Sequence, residues 1–202
     1  MAERQDMSSS DDAIGAGLQG LIDSLRKEVG DDGSFSPAPV HLWSPDRCVD
    51  IEMEIRRDGT WWHEGGQIRR EKLVRLFATI LRKDADGIYL VTPVEKVIVH
   101  VEDAPFIATR IERLDEGSGQ TLVATTNVGE VFTIDADHPI RVETDEKTGE
   151  PSPYVEVRSG LEARISRPAF YDLVSWGELD ESKTRLHVVS ADETFDLGKV
   201  TA

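Results

Sequence analysis

Cysteine, long apolar runs and positive charge are all scarce in this chain of 202 residues. Cys48 is the one cysteine, which excludes an intramolecular disulfide framework and fits a reducing compartment. The sequence contains no run of about 18 apolar residues, the length that a transmembrane helix needs. The opening residues, MAERQDMSSSDD, lack the basic and apolar regions of a signal peptide. We therefore expect a cytoplasmic protein with no membrane partner.

The charge balance is strongly acidic. The chain has 23 Lys and Arg against 39 Asp and Glu, which gives a formal net charge of −16. Binding to nucleic acid or to an anionic membrane requires a basic face. The composition therefore argues against nucleic acid as a partner, and the acidity itself is accounted for by solubility.

Motifs for catalysis and for metal binding are also missing. The five histidines lie far apart in sequence, and His63-Glu64 is not followed by a second histidine one helical turn later. The sequence contains no Gly-x-Ser-x-Gly elbow and no Walker loop. The sequence thus supports no catalytic residue, no metal site and no cofactor, and it favours a protein that is not an enzyme.

The N-terminal region is predicted to hold one amphipathic helix. Residues 1–12 form a disordered start, residues 13–30 the helix, and residues 31–48 a linker interrupted by glycine and proline. The helix is predicted from apolar residues at helical spacing: Ile14, Leu18, Leu21, Ile22, Leu25 and Val29.

Residues 49–103 are predicted to form a hairpin, a helix and a second hairpin. Apolar and polar residues alternate from Val49 to Ile55, as in a half-buried strand, and Asp58-Gly59 is a strong hairpin turn signal. A helix is predicted over residues 69–83. Strands rich in valine and isoleucine follow at residues 88–92 and 96–102.

The rest of the chain is predicted to be a strand meander followed by a second hairpin–helix–hairpin unit. The meander occupies residues 104–144, a polar loop follows at residues 145–153, and the second unit covers residues 154–200. The predicted elements are strands at 106–114, 122–126, 130–134, 154–158, 161–165, 185–190 and 194–197, and a helix at 168–177.

The two hairpin–helix–hairpin units align with each other. IRREKLVRLF from Ile68 aligns with ISRPAFYDLV from Ile165, so that Arg70 falls on Arg167. We therefore predict an α+β fold with two diverged repeats of hairpin–helix–hairpin and antiparallel sheets. The alternative is that two such segments align by pattern alone. A cleft between duplicated units is a natural place for a ligand.

The segment WWHEGGQIRREKLVRLF carries the candidate site. Gly65 and Gly66 lead to a helix whose first turn bears Arg69 and Arg70, although cations there oppose the positive end of the helix dipole. Exposed amides and arginines together predict a site for an anion such as a phosphate, with Arg167 contributing from the second unit. The alternative is that these arginines pair with nearby carboxylates on a solvated face.

Aromatic residues beside this segment could hold a flat ligand. Trp61 and Trp62 lie on opposite faces of a strand, so at most one is expected in the core and the other could stack on a base. The alternative is packing under a neighbouring loop. Tyr154 and Tyr171 are weaker candidates of the same kind, and His63 would be a polar lining residue.

A long stretch of the chain resembles the bacterial domain-of-unknown-function family numbered 1285. The resemblance rests on DIEMEIRRDGTWWHEGGQIRREKLVRLFATILRKDADGIYLVTPVEKVIVHVEDAPF, on DHPIRV and on PYVEVRSGLEARISRPAFYDLV. It implies a duplicated α+β core whose C-terminal half is superficially like a pleckstrin-homology fold. It also implies a nucleotide-like ligand at the interface of the halves and a part in bacterial signal transduction. The family often has proline where this chain has Gln67, and it brings no established catalytic residue.

The sequence thus favours a ligand-binding or sensory module that takes a small anion, such as a nucleotide, between its repeats. The alternative is a protein-interaction adaptor without a small ligand, which would bind a protein partner or form a homodimer. A hydrolase of phosphate esters is the third hypothesis, and it lacks a recognisable nucleophile and base.

Overall fold

The fold is mostly β, with two helices that matter for the site. The computed structural model of the protein describes residue 20 and residues 36–116 and 119–199. Within residues 36–199 as described, a 3-10 helix covers Val40–Leu42, and the α-helices are α1 (Glu71–Thr79) and α2 (Arg167–Trp176). The strands are β1 (Arg47–Ile55), β2 (Trp61–His63), β3 (Gly66–Gln67), β4 (Leu81–Asp84), β5 (Gly87–Val91), β6 (Glu95–Val101), β7 (Phe106–Glu116), β8 (Gly119–Thr126), β9 (Val131–Ile134), β10 (Ile140–Thr144), β11 (Pro151–Arg158), β12 (Leu161–Ile165), β13 (Glu178–Leu179), β14 (Arg185–Ser190) and β15 (Glu193–Lys199).

Two curled six-stranded sheets have the same topology. The first sheet has the strand order β3-β2-β1-β6-β5-β4, and the second has β9-β8-β7-β12-β11-β10. Each sheet consists of two antiparallel three-stranded meanders. The two meanders are joined by a parallel pair, which is β1 with β6 in the first sheet and β7 with β12 in the second. A small antiparallel sheet, β13-β14-β15, completes the C-terminal half.

The repeat is therefore organised differently from the sequence alignment. A hairpin, a helix and a hairpin do occur in both predicted segments, but β11 and β12 belong to the second sheet while β14 and β15 belong to the small sheet. The strands predicted as a separate meander supply the other half of the second sheet. The duplicated sheets thus cover residues 47–101 and 106–165. Their strands pair antiparallel as predicted, except that β1 pairs with β6 and β7 with β12 in parallel. The parallel pairs arise because the chain crosses from the third strand at one edge of each sheet to the fourth strand at the other edge, so that the sixth strand returns beside the first.

Most predicted strands and both site helices are present, but β10 was not predicted, β11 begins at Pro151 inside the predicted loop, and α1 ends early. The helix was predicted to run to residue 83, but it ends at Thr79, and Leu81–Asp84 is strand β4. The Thr79 hydroxyl donates to the carbonyl of Leu76 at 2.7 Å in the last turn. Ile80 and Leu81 are buried, and two consecutive apolar residues fit the predicted helix as well as a strand, so the apolar pattern did not separate the two.

One apolar cluster joins the two sheets. Phe77 of α1 and Trp61 of β2 belong to it, together with Phe106 of β7 and Leu173 of α2. All four side chains are buried. The two halves therefore share a core.

The predicted disordered start and the N-terminal helix lie outside the described residues, apart from Gly20, which is helical. No helix in the described part of the chain is long and apolar enough to span a membrane.

Candidate functional site

The turn between β1 and β2 is where the first sheet meets the second. Gly59 lies in this turn with φ +79°, and a Cβ there would come within 2.9 Å of Ile107 Cδ1 and of Asn127 Nδ2. The Asn127 carboxamide oxygen accepts a hydrogen bond from the Ile107 N–H at 3.0 Å, which fixes the surface that the turn approaches. Residues of this turn line two separate cavities.

A second junction lies at the C-terminal end of α1. The Arg158 guanidinium donates to the carbonyl of Ala78 at 2.6 Å and pairs with the carboxylate of Glu130. It also lies over the Phe106 ring, 5.1 Å from the centroid. Burial raises the pKa of Glu130, and the neighbouring guanidinium opposes that rise. This partly buried ion pair connects the second sheet to α1.

The first cavity, which we call the arginine cavity, lies where the two halves meet and has a volume of about 470 Å³. Arg57 comes from the first half and the other lining residues from the second. The lining residues are Arg57, Ile107, Glu150, Pro151, Pro153, Arg164, Ile165, Ser166, Arg167, Phe170 and Tyr171.

Positive charge exceeds negative charge in the lining of the arginine cavity. Arg167 pairs with Glu150, and both side chains are more than half exposed. Arg57 and Arg164 share one carboxylate, that of Asp103, at 3.8 and 3.2 Å. The three guanidiniums are therefore only partly neutralised, in a protein whose net charge is −16.

The arginine cavity also contains the start of α2 and an aromatic surface. Ser166 is the N-cap of α2 but makes no side-chain capping bond, because its hydroxyl donates to the Thr109 carbonyl at 3.3 Å instead. The first turn carries no acidic residue. Tyr171 is 68% exposed and Phe170 is half-buried, so aromatic surface is available next to the arginines.

The second cavity, which we call the α1 cavity, lies at the N-terminus of α1 and has a volume of about 380 Å³. Arg70 is the N-cap of this helix and has no side-chain capping bond. The lining residues are Gly59, Thr60, Trp61, Gln67, Ile68, Arg69, Glu71, Val74, Arg75 and Asn127.

The predicted arginines do not share one cleft. Arg69 lines the α1 cavity, Arg167 lines the arginine cavity, and Arg70 is exposed and lines neither. The reason is the topology: α1 lies within the first sheet's connection, whereas α2 follows the last strand of the second sheet. Each cavity nevertheless combines a helix N-terminus with an arginine, which is the chemistry that the sequence predicted.

Neither tryptophan offers an open face of the kind that the stacking hypothesis requires. Trp61 is only 1% exposed and stacks on Phe77, with 6.0 Å between centroids. Trp62 lies on the other face of β2, as predicted, but the Arg56 guanidinium covers its ring at 3.5 Å. Its indole N–H donates to the Thr60 hydroxyl oxygen at 2.8 Å.

His63, Gly65 and Gly66 lie outside both cavities. His63 is buried in β2, and Glu64 and Gly65 form the turn to β3 with positive φ angles of 47° and 75°. The glycines therefore serve a hairpin and not the start of the helix. Within residues 36–116 and 119–199, no three His, Cys, Asp or Glu side chains are grouped closely enough to hold a metal ion.

Sequence reasoning missed Arg57 and Arg164. Arg57 follows β1 and Arg164 lies in β12, and they meet only because the two sheets pack together. No local motif marks either residue, so periodicity and spacing could not have identified them.

Comparison with known proteins places the chain in a family. The N-terminal domain of the domain of unknown function DUF1285 matches residues 38–104, and the C-terminal domain of the same family matches residues 105–197. The crystal structure of a DUF1285 family protein from Silicibacter pomeroyi DSS-3 is 45% identical, covers 90% of this chain and 96% of that one, and has a TM-score of 0.78. A DUF1285 family protein from Shewanella baltica OS155 is 30% identical over 65% of this chain and 94% of that one, with a TM-score of 0.50. No curated protein matches the chain. The family boundary falls between β6 and β7, where the first sheet ends, and the chain belongs to the DUF1285 family.

Proposed function

We propose that this protein is a non-catalytic ligand-binding module that takes a nucleotide-like anion in the arginine cavity. One observation carries the proposal: Arg57 from the first half meets Arg164 and Arg167 from the second around a single cavity. A ligand there would contact both family domains at once, and ligand sites favour such interfaces.

The phosphate end of the ligand would be held by the guanidiniums. Arginine binds phosphate through two parallel hydrogen bonds, which makes it well suited to this role. The existing pair between Arg167 and Glu150 is exposed, so its replacement by a ligand phosphate costs little. At the start of α2 the N–H groups of Arg167 and Ala169 lack a side-chain cap and add donors of the same polarity, whereas Pro168 between them has no N–H.

The flat end of the ligand would rest on the aromatic and proline side of the cavity. Tyr171 is exposed there, and Phe170 and Pro151 extend the apolar surface. Aromatic faces contribute stacking to bound bases. The volume of about 470 Å³ lies within the range of small-molecule sites, roughly 300–1,000 Å³.

Binding between the two halves would couple ligand occupancy to their packing, which is the property of a sensor. The role in bacterial signal transduction that the family resemblance implies belongs to this proposal. So does the pleckstrin-homology-like character of the C-terminal half, in which α2 packs against β7.

Thermal unfolding against mononucleotides and cyclic dinucleotides tests the proposal. A ligand at about 100 times its dissociation constant adds roughly 2.7 kcal/mol of stability, which for a chain of this size raises Tm by about 5–10 °C. We expect one class of compound to give this rise in the wild-type protein. The Arg164→Gln and Arg167→Gln variants should lose most of it.

The matched control is Arg110→Gln, which removes an exposed arginine of β7 that does not line the arginine cavity. This variant should respond as the wild type does. A wild-type response that survives in the Arg164→Gln/Arg167→Gln double variant would contradict the proposed site. A flat panel would instead favour the adaptor hypothesis.

A further inference from the structure

We propose that Glu150 is a built-in competitor of the ligand phosphate for Arg167, so that ligand binding releases the tip of the β10–β11 hairpin. The hairpin tip comprises residues 145–150, between the two strands. The Glu150 carboxylate pairs with the Arg167 guanidinium in the lining of the arginine cavity, and a phosphate that bound Arg167 would displace it. The inference rests on the proposed function and adds to it a contact that regulates the same site.

The contact between Glu150 and Arg167 has the chemistry of the proposed contact with a ligand. The Arg167 guanidinium donates a hydrogen bond to the Glu150 carboxylate. An ionised carboxylate and a phosphate both present only acceptor oxygens to an arginine, and both can accept two parallel hydrogen bonds from it. The two residues are 17 positions apart in sequence and both line the arginine cavity. One guanidinium therefore serves two anions that cannot occupy it together.

The hairpin tip is folded so that it fixes the position of Glu150. The Asp145 carboxylate accepts hydrogen bonds from the N–H groups of Thr148 and Lys147, both at 2.8 Å. These backbone donors hold the pKa of Asp145 below its usual value, so the acceptor stays charged at neutral pH. The Asp145 N–H donates to the Glu150 carbonyl at 3.0 Å, and Pro151 restricts the Glu150 backbone to extended conformations. The turn itself thus holds Glu150 beside α2.

The ion pair is weak enough for a phosphate to displace it. The side chains of Glu150 and Arg167 are 57% and 76% exposed, so solvent screens their attraction. An exposed pair of this kind shifts an equilibrium by a factor of only about 1.5–5. A phosphate monoester carries a charge of about −1.5 to −2 at pH 7, against −1 for a carboxylate, so its attraction to the guanidinium is stronger. Glu150 therefore lowers the ligand affinity without closing the site.

Asp103, which also faces arginines of this cavity, differs from Glu150. Its side chain is 11% exposed, and it accepts a hydrogen bond from the Tyr154 hydroxyl at 2.7 Å besides pairing with Arg164 at 3.2 Å. Separation of a buried carboxylate from its partners is costly, so Asp103 should keep its place when a ligand binds. The exposed Glu150 is the carboxylate that leaves. Ligand binding should thus be felt in the rest of the hairpin tip, which does not line the cavity.

An NMR titration with phenyl phosphate tests the inference, because this probe combines a phosphate monoester with one flat ring and carries no particular base. Glu150→Gln removes the charge and keeps the size of the side chain. We expect this variant to bind phenyl phosphate about two- to fivefold more tightly than the wild type, since no ion pair has to be displaced. Saturation should shift the backbone signals of Lys147 and Thr148 in the wild type, and should shift them less in Glu150→Gln.

Glu146→Gln is the matched control, because it removes the same charge from an exposed residue of the same hairpin tip that does not line the cavity. It should change the dissociation constant of phenyl phosphate by less than about 1.5-fold, because solvent and salt screen a charge at that distance. The Arg167→Gln background is the second control. Glu150 has no guanidinium to occupy there, so the addition of Glu150→Gln should again have an effect of less than about 1.5-fold.

Three results would overturn the inference: no gain in affinity in Glu150→Gln, an equal gain in Glu146→Gln, or a full gain in the Arg167→Gln background. Arg164→Gln separates such a failure from failure of the proposed function. If it abolishes binding of phenyl phosphate while Glu150→Gln changes nothing, the arginine cavity binds the anion and only the competitor role is wrong. If phenyl phosphate binds neither the wild type nor Glu150→Gln at millimolar concentration, the inference is wrong and the nucleotide panel still decides the proposed function.

Discussion

Replacement of Arg158 by methionine should destabilise the protein strongly, because it strands a buried carboxylate. The side chains of Arg158 and Glu130 are 18% and 16% exposed, so solvent screens the pair only weakly. Removal of one partner of a buried ion pair costs about 3–5 kcal/mol. The hydrogen bond to the Ala78 carbonyl is lost as well. We therefore expect Arg158→Met to lower the free energy of unfolding by about 3–5 kcal/mol at pH 7.

A double-mutant cycle separates the stranded charge from the lost contact. The Glu130→Met/Arg158→Met variant has no uncompensated charge, so it should lose only about 1–2 kcal/mol, mainly for the bond to Ala78. The double variant should then be about 2–3 kcal/mol more stable than Arg158→Met alone, so the costs of the two substitutions do not add. Urea unfolding followed by tryptophan fluorescence measures all four proteins, because Trp61 is in the core.

The pH dependence of Arg158→Met has a defined sign. Burial raises the pKa of Glu130 above its ordinary value of 4.5, and loss of the guanidinium raises it further. Between the unfolded and the folded pKa, the folded state binds more protons, so stability increases as the pH falls. We expect the variant to regain part of its stability as the pH falls from 7 towards the ordinary pKa of 4.5.

Two results would refute this reasoning: an Arg158→Met variant within about 1 kcal/mol of the wild type, or a double variant as unstable as the single one. Arg110→Met is the control, since it breaks the exposed pair with Glu112 and should cost no more than about 1 kcal/mol.

Three further predictions concern stability. Gly59→Ala should lower the free energy of unfolding by about 2–4 kcal/mol, because the strain of a positive φ adds to a 2.9 Å clash. Gly65→Ala has a similar φ but open space around the new Cβ, so it should cost only about 1 kcal/mol. Urea unfolding measures both. Asp180→Asn should make the free energy of unfolding depend less on pH in the acid range. A neighbouring serine hydroxyl and backbone N–H groups lower the pKa of Asp180 to about 2, so its contribution is present above pH 3.8 and is lost as the pH falls towards 2. If the free energy of unfolding falls equally steeply with pH in the wild type and in Asp180→Asn, this contribution of Asp180 is excluded. Leu173→Ala should lower the free energy of unfolding by about 2–5 kcal/mol, because the Leu173 side chain is fully buried. Val174 is exposed, so Val174→Ala should change it by no more than about 1 kcal/mol. Similar urea midpoints for the two variants would contradict the packing argument.

Local pattern predicted the individual elements well, because turns and alternation are local properties. The Asp58-Gly59 turn and the alternating strand before it are both present. The predicted end of α1 was wrong because Ile80 and Leu81 are apolar residues that fit the buried face of the predicted helix as well as a buried strand. The choice of strand depends on the pairing of Leu81 with Leu90, which lies in another element.

Sheet pairing and the cavities could not be predicted in the same way. The alignment of the α1 and α2 segments matched two helices that hold different places in the duplicated sheets, because it could not reveal that β12 pairs with β7. The helix-start arginines Arg69 and Arg167 were identifiable from local charge next to a predicted helix. Arg57 and Arg164 line one cavity only because the two sheets pack together, so no local sequence pattern could predict that they lie close to each other.

Amide chemical-shift mapping with the nucleotide panel tests the central claim most directly, because it locates binding without assuming the ligand. The account predicts that the active class of compound perturbs the backbone signals of Arg57, Ser166, Arg167 and Tyr171 around the arginine cavity. Perturbations confined to another surface, or none with any compound at millimolar concentration, would contradict a nucleotide site between the two halves.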